Sequence, residues 1–126
     1  TNWTWCRAPL TRGSAILYDV RRTDGSDQNL TLRFDADGSR REMAPPPAAS
    51  LPPTGLWRMP RTTRSDGAQA QVVRTFEDTP FYARSLLAAT LDGETVQPVH
   101  ESLSLRRFRN PLVRLMLPFR MPRRIG

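Results

Sequence analysis

The sequence predicts an all-β domain, built as an antiparallel barrel or a strongly curved sheet. Apolar and polar residues alternate over several segments, which is typical of half-buried strands. Asp-Gly pairs, which supply the positive φ of tight turns, fall at 24–25, 37–38, 66–67 and 92–93. The 126 residues suit one domain, and no apolar run approaches the roughly 20 residues of a membrane-spanning helix.

The first three strands are predicted from their alternation. Residues 2–8 place Trp3 and Trp5 on one face of a strand and smaller side chains on the other. Residues 14–23 form the second strand, and residues 29–35 form the third. Turns at the intervening glycines connect them as antiparallel hairpins.

The second half of the chain continues as strands after a proline-rich segment. Residues 40–54 contain five prolines, which predicts an extended loop. Pro80 then separates two strands, because proline cannot donate to a sheet ladder. The predicted strands of this half are residues 56–62, 71–77, 81–91 and 94–104.

One short terminal helix completes the predicted fold. Pro111 suits a first helical turn. Leu112, Leu115 and Met116 follow at helical spacing, and Pro118 ends the segment.

The charge of the chain restricts its partners. The formal net charge is +7, and every one of the 19 basic residues is arginine. No nucleic-acid recognition motif accompanies this charge. The arginines concentrate at residues 106–124, which favours contact with an anionic membrane surface. The alternative is a solvated basic surface.

The sequence contains no pattern typical of a metal site or of a catalytic nucleophile. Cys6 and His100 are the only residues of their types, so the spacing of a metal site is missing and no disulfide can form within the chain. We expect Cys6 to be a small core residue and His100 to be hydrogen-bonded at the rim of the sheet. No Ser-His-Asp arrangement and no Gly-rich phosphate loop is evident.

A carboxylate beside an aromatic residue offers acid chemistry. Tyr18 and Asp19 are neighbours in a strand, so they point to opposite faces and one of them meets the interior. A carboxyl in an apolar cavity has its pKa raised by desolvation and then serves as a proton donor. In the alternative, Asp19 pairs on the outside with Arg21, Arg22 or Arg33.

Three segments carry a resemblance to a known family. They are the run at residues 73–85, which contains Glu-Asp-Thr-Pro-Phe-Tyr, residues 100–108, and the Pro-Phe-Arg-Met-Pro-Arg ending at residues 118–123. The sequence resembles the carotenoid 1,2-hydratases of phototrophic bacteria, also called hydroxyneurosporene synthases. Less specific similarity at residues 16–20 and 56–61 extends the resemblance over nearly the whole chain.

The resemblance implies a fold and a reaction. Members of this family are similar to lipocalin-like proteins with two β-barrel-type domains in tandem. Residues 1–126 are then a single domain from the C-terminal part of a longer protein. The implied enzyme is a hydro-lyase that adds water to the terminal C1–C2 double bond of an acyclic carotene such as neurosporene or lycopene. No redox cofactor or metal is implied.

The resemblance also suggests roles for individual residues. Asp19 is the expected acid, and Tyr18 is expected to orient water or the acid. The aromatic residues expected to contact the substrate and the cation are Trp3, Trp5, Trp57, Phe81 and Tyr82. A segment with histidine and tryptophan that we expect just upstream in the family is absent from this sequence.

An insoluble substrate implies a membrane. The expected partners are an acyclic carotenoid and water, with no nucleic acid. Peripheral contact through the basic tail and an apolar face at Leu112, Leu115, Met116 and Phe119 predicts a location at the bacterial inner, photosynthetic membrane. The alternative functions are a non-catalytic lipocalin-like carrier of an apolar ligand and an arginine-rich nucleic-acid binder.

Overall fold

The computed structural model describes residues 2–55 and 57–108. This part of the chain forms ten strands, one 3₁₀ turn at Asp66–Ala68 and one short helix, α1, at Leu105–Phe108. The strands, in chain order, are β1 Asn2–Leu10, β2 Gly13–Arg21, β3 Asp27–Asp35, β4 Arg40–Met43, β5 Ala48–Leu51, β6 Arg61–Arg64, β7 Gln71–Asp78, β8 Tyr82–Leu91, β9 Glu94–Val96 and β10 Val99–Ser104.

Most strands belong to one antiparallel sheet. Its order is β4-β3-β2-β1-β10-β8-β7, with β9 added beside β8. Every pairing recorded in this sheet is antiparallel, as predicted. The two edge strands, β4 and β7, do not pair with each other in the described ranges, so the prediction of a closed barrel is wrong. The alternative of a curved, open sheet is confirmed.

The sheet has a covered face and an open face. Side chains at alternate positions of β1 and β2 point to the covered face, where Cys6, Ala8, Ala15 and Leu17 are buried in one apolar cluster. The small hairpin of β5 and β6 lies across this face, and β6 contacts β1. The opposite positions of β1 and β2, which include Trp3, lie on the open face.

The proline-rich segment is more ordered than its composition predicts. Residues 40–54 contain β4 and β5, because their prolines lie between and after these two short strands. The predicted strand at residues 56–62 is wrong in its position. A tight turn occupies this region: Thr54 and Met59 exchange backbone and side-chain hydrogen bonds of 3.1 and 2.8 Å, and β6 begins only at Arg61.

Proline breaks two later strands. Between β7 and β8, the Thr79 N–H donates to the Tyr82 carbonyl at 2.8 Å, and the Tyr82 N–H donates to Thr79 Oγ1 at 2.9 Å. This turn contains Pro80, as predicted. The predicted strand at residues 94–104 is split into β9 and β10 at Pro98, which has no N–H to give to the ladder.

The helix α1 precedes the position at which a helix is predicted. The predicted helix around Leu112 and Met116, and all of the basic tail from residue 109 onward, lie outside the described residues. No helix in the described part of the chain has the length and apolar character needed to cross a bilayer.

Candidate active site

The candidate site begins with the inward row of β2. Ala15, Leu17 and Asp19 occupy successive covered-face positions, which lie roughly 6.6 Å apart along a strand. Ala15 and Leu17 are buried at 5% and 3% exposure, whereas Asp19 is half-buried. The row therefore leads from an apolar interior to a carboxylate within two residues.

An apolar cavity adjoins the first part of this row. It has a volume of about 420 Å³. Its wall combines residues from the ends of β1, β4 and β8, from β2 and from the segment after β4: Leu10, Ala15, Leu17, Met43, Pro46 and Leu91. This volume lies within the range of small-molecule sites, which are mostly apolar with a few polar groups.

One buried hydroxyl interrupts the apolar wall. Thr31 of β3 lines the cavity and lies directly opposite Leu17 in the sheet. Its side chain is buried, with 5% of the residue exposed, and Oγ1 has no hydrogen-bond partner among the described residues. Native proteins satisfy nearly all buried polar groups, so the Thr31 hydroxyl is one of a few exceptions among the described residues.

A second, polar cavity contains Asp19. Its volume is about 270 Å³, and β1, β2, β6, β10 and α1 contribute to its wall. The charged residues in that wall are Asp19, Asp27, Arg21, Arg61, Arg64 and Arg107. Four arginines thus face two aspartates, and the cavity carries an excess of positive charge.

Arg64 connects the two cavities. Its Nε lies 3.0 Å from both carboxylate oxygens of Asp19. Its Nη1 donates to the carbonyl oxygen of Pro46 at 2.8 Å, and Pro46 lines the apolar cavity. The Arg64 and Asp19 side chains are 21% and 29% exposed, so water screens this ion pair only partly. The Arg64 guanidinium thus bridges the Asp19 carboxylate and the Pro46 carbonyl.

The β5–β6 hairpin is tied to the main sheet by a buried arginine. Arg61 is 6% exposed and donates through Nη1 to Ser85 Oγ of β8 at 2.9 Å. Its Nε and Nη2 donate to the Pro52 carbonyl at 3.1 and 3.0 Å. Burial lowers the pKa of Arg61, and the negative charge of Asp78 acts in the opposite direction. Arginine nevertheless stays protonated in proteins.

His100 provides a second tie at the centre of the covered face. It is 1% exposed, and its Nε2 lies 3.0 Å from the Thr62 carbonyl of β6. Burial lowers the pKa of His100 to about 4, so the ring is neutral at pH 7. A neutral ring facing a carbonyl donates from Nε2. This histidine lies in the interior and not at the rim where we expected it.

Comparison with known proteins places this chain in a family. The model of the carotenoid hydratase CrtC family matches residues 1–126. This chain belongs to the carotenoid hydratase CrtC family. No solved structure matches it.

Three relatives share this family and are each named acyclic carotenoid 1,2-hydratase. The protein of Thiocapsa roseopersicina is 56% identical over 122 residues, which cover 96% of this chain and 30% of the relative. The protein of Rubrivivax gelatinosus is 48% identical over 97% of this chain and 30% of its own length. The protein of Cereibacter sphaeroides is 43% identical over 98% of this chain and 44% of its own length. The chain thus spans less than half the length of these relatives.

The structure separates the two residues predicted to act in catalysis. Asp19 lies on the covered face of β2, and Tyr18 lies on the open face beside Trp3, with ring centroids 6.4 Å apart. Asp19 pairs with Arg64, and none of the three arginines weighed in the sequence analysis is its partner. The acid role of Asp19 and the orienting role of Tyr18 stay predictions.

The predicted substrate-binding aromatics lie in several places. Trp3 and Trp5 are on the open face, away from Asp19, as is Tyr82. Phe81 is buried at 4% exposure in the turn after β7. Trp57 is half-buried in the turn before β6, where its carbonyl accepts from Arg107 Nη1 at 2.7 Å. Their contact with a substrate stays a prediction. These residues do not share one surface, so a single binding site would not include all of them.

Tyr82 lies in a charged environment on the open face. Its pKa is raised to about 12, first by burial and then by the negative charge of Glu101, which lies one strand away on β10. Arg84, also on this face, pairs with Glu77 at 3.2 Å and lies 5.4 Å from the Phe76 ring centroid. The open-face side chains of the motif at residues 73–85 thus form a polar surface on the side of the sheet opposite Asp19.

Sequence reasoning did not find Thr31 or Arg64. Each lies in a segment whose local pattern gave no reason to select it: Thr31 alternates with leucines, and Arg64 is one of many arginines. No group of three His, Cys, Asp or Glu side chains suited to a metal ion is present within residues 2–55 and 57–108.

Proposed function

We propose that this chain carries the proton donor of a hydratase that adds water to the terminal C1–C2 double bond of an acyclic carotene, such as neurosporene or lycopene. Family membership and the names of the relatives support the reaction class. The observation that carries the proposal is the inward row of β2. There, Asp19 follows Ala15 and Leu17 from an apolar cavity into a polar one.

The reaction requires an acid, water and an apolar cleft. The carboxyl of Asp19 donates a proton to C2, and the π electrons of the double bond form the new C2–H bond. C1 becomes a tertiary cation, and the oxygen of a water molecule attacks it. The resulting oxonium loses a proton to the Asp19 carboxylate, which regenerates the acid and leaves a tertiary alcohol at C1.

The two cavities suit the two parts of this reaction. The apolar cavity is large enough for the end group of a carotene, and the rest of the long polyene extends beyond it. The polar cavity gives the carboxyl access to water. An arginine stabilises the ionised form of a carboxyl, so proton donation by Asp19 requires Arg64 to move aside when the substrate enters.

The insoluble substrate leads to a proposal about location. A protein that takes a carotene from a bilayer benefits from a basic surface near anionic lipid. The arginines between residues 109 and 124 supply this charge. We therefore place the protein at the periphery of the inner, photosynthetic membrane. Replacing these arginines by glutamate should abolish sedimentation with anionic vesicles, and unchanged sedimentation would count against the proposal.

An asparagine substitution tests the acid. Asp19→Asn keeps the shape of the side chain and removes its proton-donating form. We expect this variant to bind lycopene and not to hydrate it. Asp37→Asn makes the same change in charge in the exposed turn after β3 and should keep full activity. Chromatography and mass spectrometry of the products provide the measurement.

The experiment should use two proteins. One is this chain alone, and the other is a chimera in which it replaces the matching 122 residues of the Thiocapsa roseopersicina relative. The proposal is supported if the parent protein hydrates lycopene and the Asp19→Asn variant does not. Equal hydration by the parent and by Asp19→Asn shows that the acid lies elsewhere. Binding without conversion by both parent proteins favours the non-catalytic carrier.

A further inference from the structure

The apolar cavity contains one polar atom that the fold leaves unused. Thr31 Oγ1 is buried in the cavity wall and has no hydrogen-bond partner in the described ranges. Burying a hydroxyl without a partner costs free energy that an apolar side chain of the same shape avoids. The position thus suits a group that receives its partner from outside the fold.

Other polar groups at this cavity are already engaged. Asp66 accepts from the Gly93 N–H at 3.1 Å. Asp92 pairs with Arg33, and its side chain is 43% exposed at the mouth. Thr31, by contrast, is 5% exposed and faces Leu17 across the sheet. Of these three residues, only Thr31 has a free hydrogen-bonding atom deep in the apolar wall.

The position of Thr31 relative to Asp19 follows from the sheet register. Asp19 pairs with Asn29, and Leu17 pairs with Thr31. Thr31 is therefore the diagonal neighbour of Asp19 on the covered face, at a Cα separation of about 7 to 8 Å. Thr31 lines the apolar cavity and Asp19 lines the polar one. A carotene end group at the boundary between the two cavities would therefore meet both the hydroxyl and the carboxyl.

We propose that Thr31 is a positioning residue that holds the attacking water against C1. This inference rests on the hydration reaction proposed above. Thr31 Oγ1 accepts a hydrogen bond from one O–H of the water, which directs an oxygen lone pair at the cation. The water oxygen then bonds to C1, and its surplus proton passes to the Asp19 carboxylate, so that one water is consumed and the acid is regenerated. In the product, the same hydroxyl faces the new C1 alcohol.

Removing the hydroxyl should change the fate of the cation. Thr31→Val keeps the side-chain shape and leaves no acceptor for water. We expect hydration of lycopene to fall by about 10- to 100-fold, as is typical when a reacting group loses its alignment. Protonation by Asp19 continues, and the cation then returns to an alkene by losing a proton. In deuterated water, this return transfers deuterium into the recovered carotene.

The assay compares Thr31→Val, Thr31→Ser and the parent in deuterated water, in the chain and in the chimera. Mass spectrometry measures deuterium in the unreacted carotene and in the alcohol. We expect the valine variant to accumulate deuterated lycopene and the serine variant, which restores a hydroxyl, to regain most of the hydration. Thr75→Val makes the same change on the exposed strand β7 and should behave as the parent does.

Stability provides a second readout. Because Thr31 Oγ1 has no partner in the described structure, Thr31→Val should unfold at the same urea concentration as the parent or a higher one. Wild-type hydration and deuterium distribution in Thr31→Val would overturn the inference and leave the hydratase proposal intact. Equal losses in the valine and serine variants would also overturn it. Absence of hydration by both parent proteins would overturn both proposals.

Discussion

Proton uptake by His100 should control how this protein responds to acid. The ring is buried at 1% exposure on the covered face and is held by the Thr62 carbonyl of β6. Burial lowers its pKa to about 4, from 6.5 in an exposed histidine. Between about pH 4 and pH 6.5, the histidine is therefore protonated in the unfolded chain and neutral in the folded chain. Stability rises with pH in this window and is lost as the pH falls from about 6.5 to about 4.

The magnitude follows from the interval between the two pKa values. The interval from about 4 to 6.5 corresponds to a total of about 3 kcal/mol, at about 1.4 kcal/mol per pH unit. About 2 kcal/mol of this should already be lost at pH 5. A small domain is stable by about 5 to 15 kcal/mol, so the loss is large. It should lower the urea midpoint by about 1 M.

The assay compares the parent with His100→Gln. Glutamine does not titrate and can still donate to the Thr62 carbonyl, while all carboxylates titrate alike in both proteins. Urea unfolding at pH 7 and pH 5 should show a loss in the parent that exceeds the loss in His100→Gln by about 2 kcal/mol. Equal losses in the two proteins would refute the reasoning, because the histidine would then titrate alike in the folded and unfolded chains.

Three further predictions concern other contacts of the covered face. A double-mutant cycle of Arg64→Gln and Asp19→Asn should give a coupling of about 1 kcal/mol in urea unfolding, because the pair is only partly screened; additive effects would contradict this. Cys6 should resist alkylation at pH 8 until urea unfolds the chain, because burial raises its pKa to about 12; mass spectrometry of the native chain would reveal any early reaction. Thr54→Val should cost about 1 to 3 kcal/mol, because the Met59 N–H loses its partner at 2.8 Å; an unchanged midpoint would argue against the turn described here.

The first strands were predictable because their signals are local. Alternating residues and Asp-Gly turns define β1, β2 and β3 without reference to the rest of the chain. The short strands β4 and β5 were missed because prolines surround them and neither strand is long enough to show alternation. The alternation of residues 94–104 predicts one strand, but the missing N–H of Pro98 splits it into β9 and β10.

The site was predictable only in part, because its partners are distant in sequence. Neighbouring strand residues face opposite sides, so the sequence required Tyr18 and Asp19 to separate, but it did not reveal which of them is covered. Arg64 meets Asp19 across 45 residues, through the β5–β6 hairpin, whose first strand lies within the predicted loop. Thr31 could not be selected from the sequence, because it stands between the apolar residues Leu30 and Leu32 and the local pattern does not show that its own face is the buried one.

Labelled water shows directly whether this chain takes part in adding water to a carotene. The chain and the chimera are incubated with lycopene in water enriched in oxygen-18. The products are separated by chromatography, and their masses are measured by mass spectrometry. We predict an alcohol that is heavier than lycopene by one labelled water and that Asp19→Asn does not form. Recovery of unlabelled, unchanged lycopene from both parent proteins, in spite of measurable binding, would contradict it.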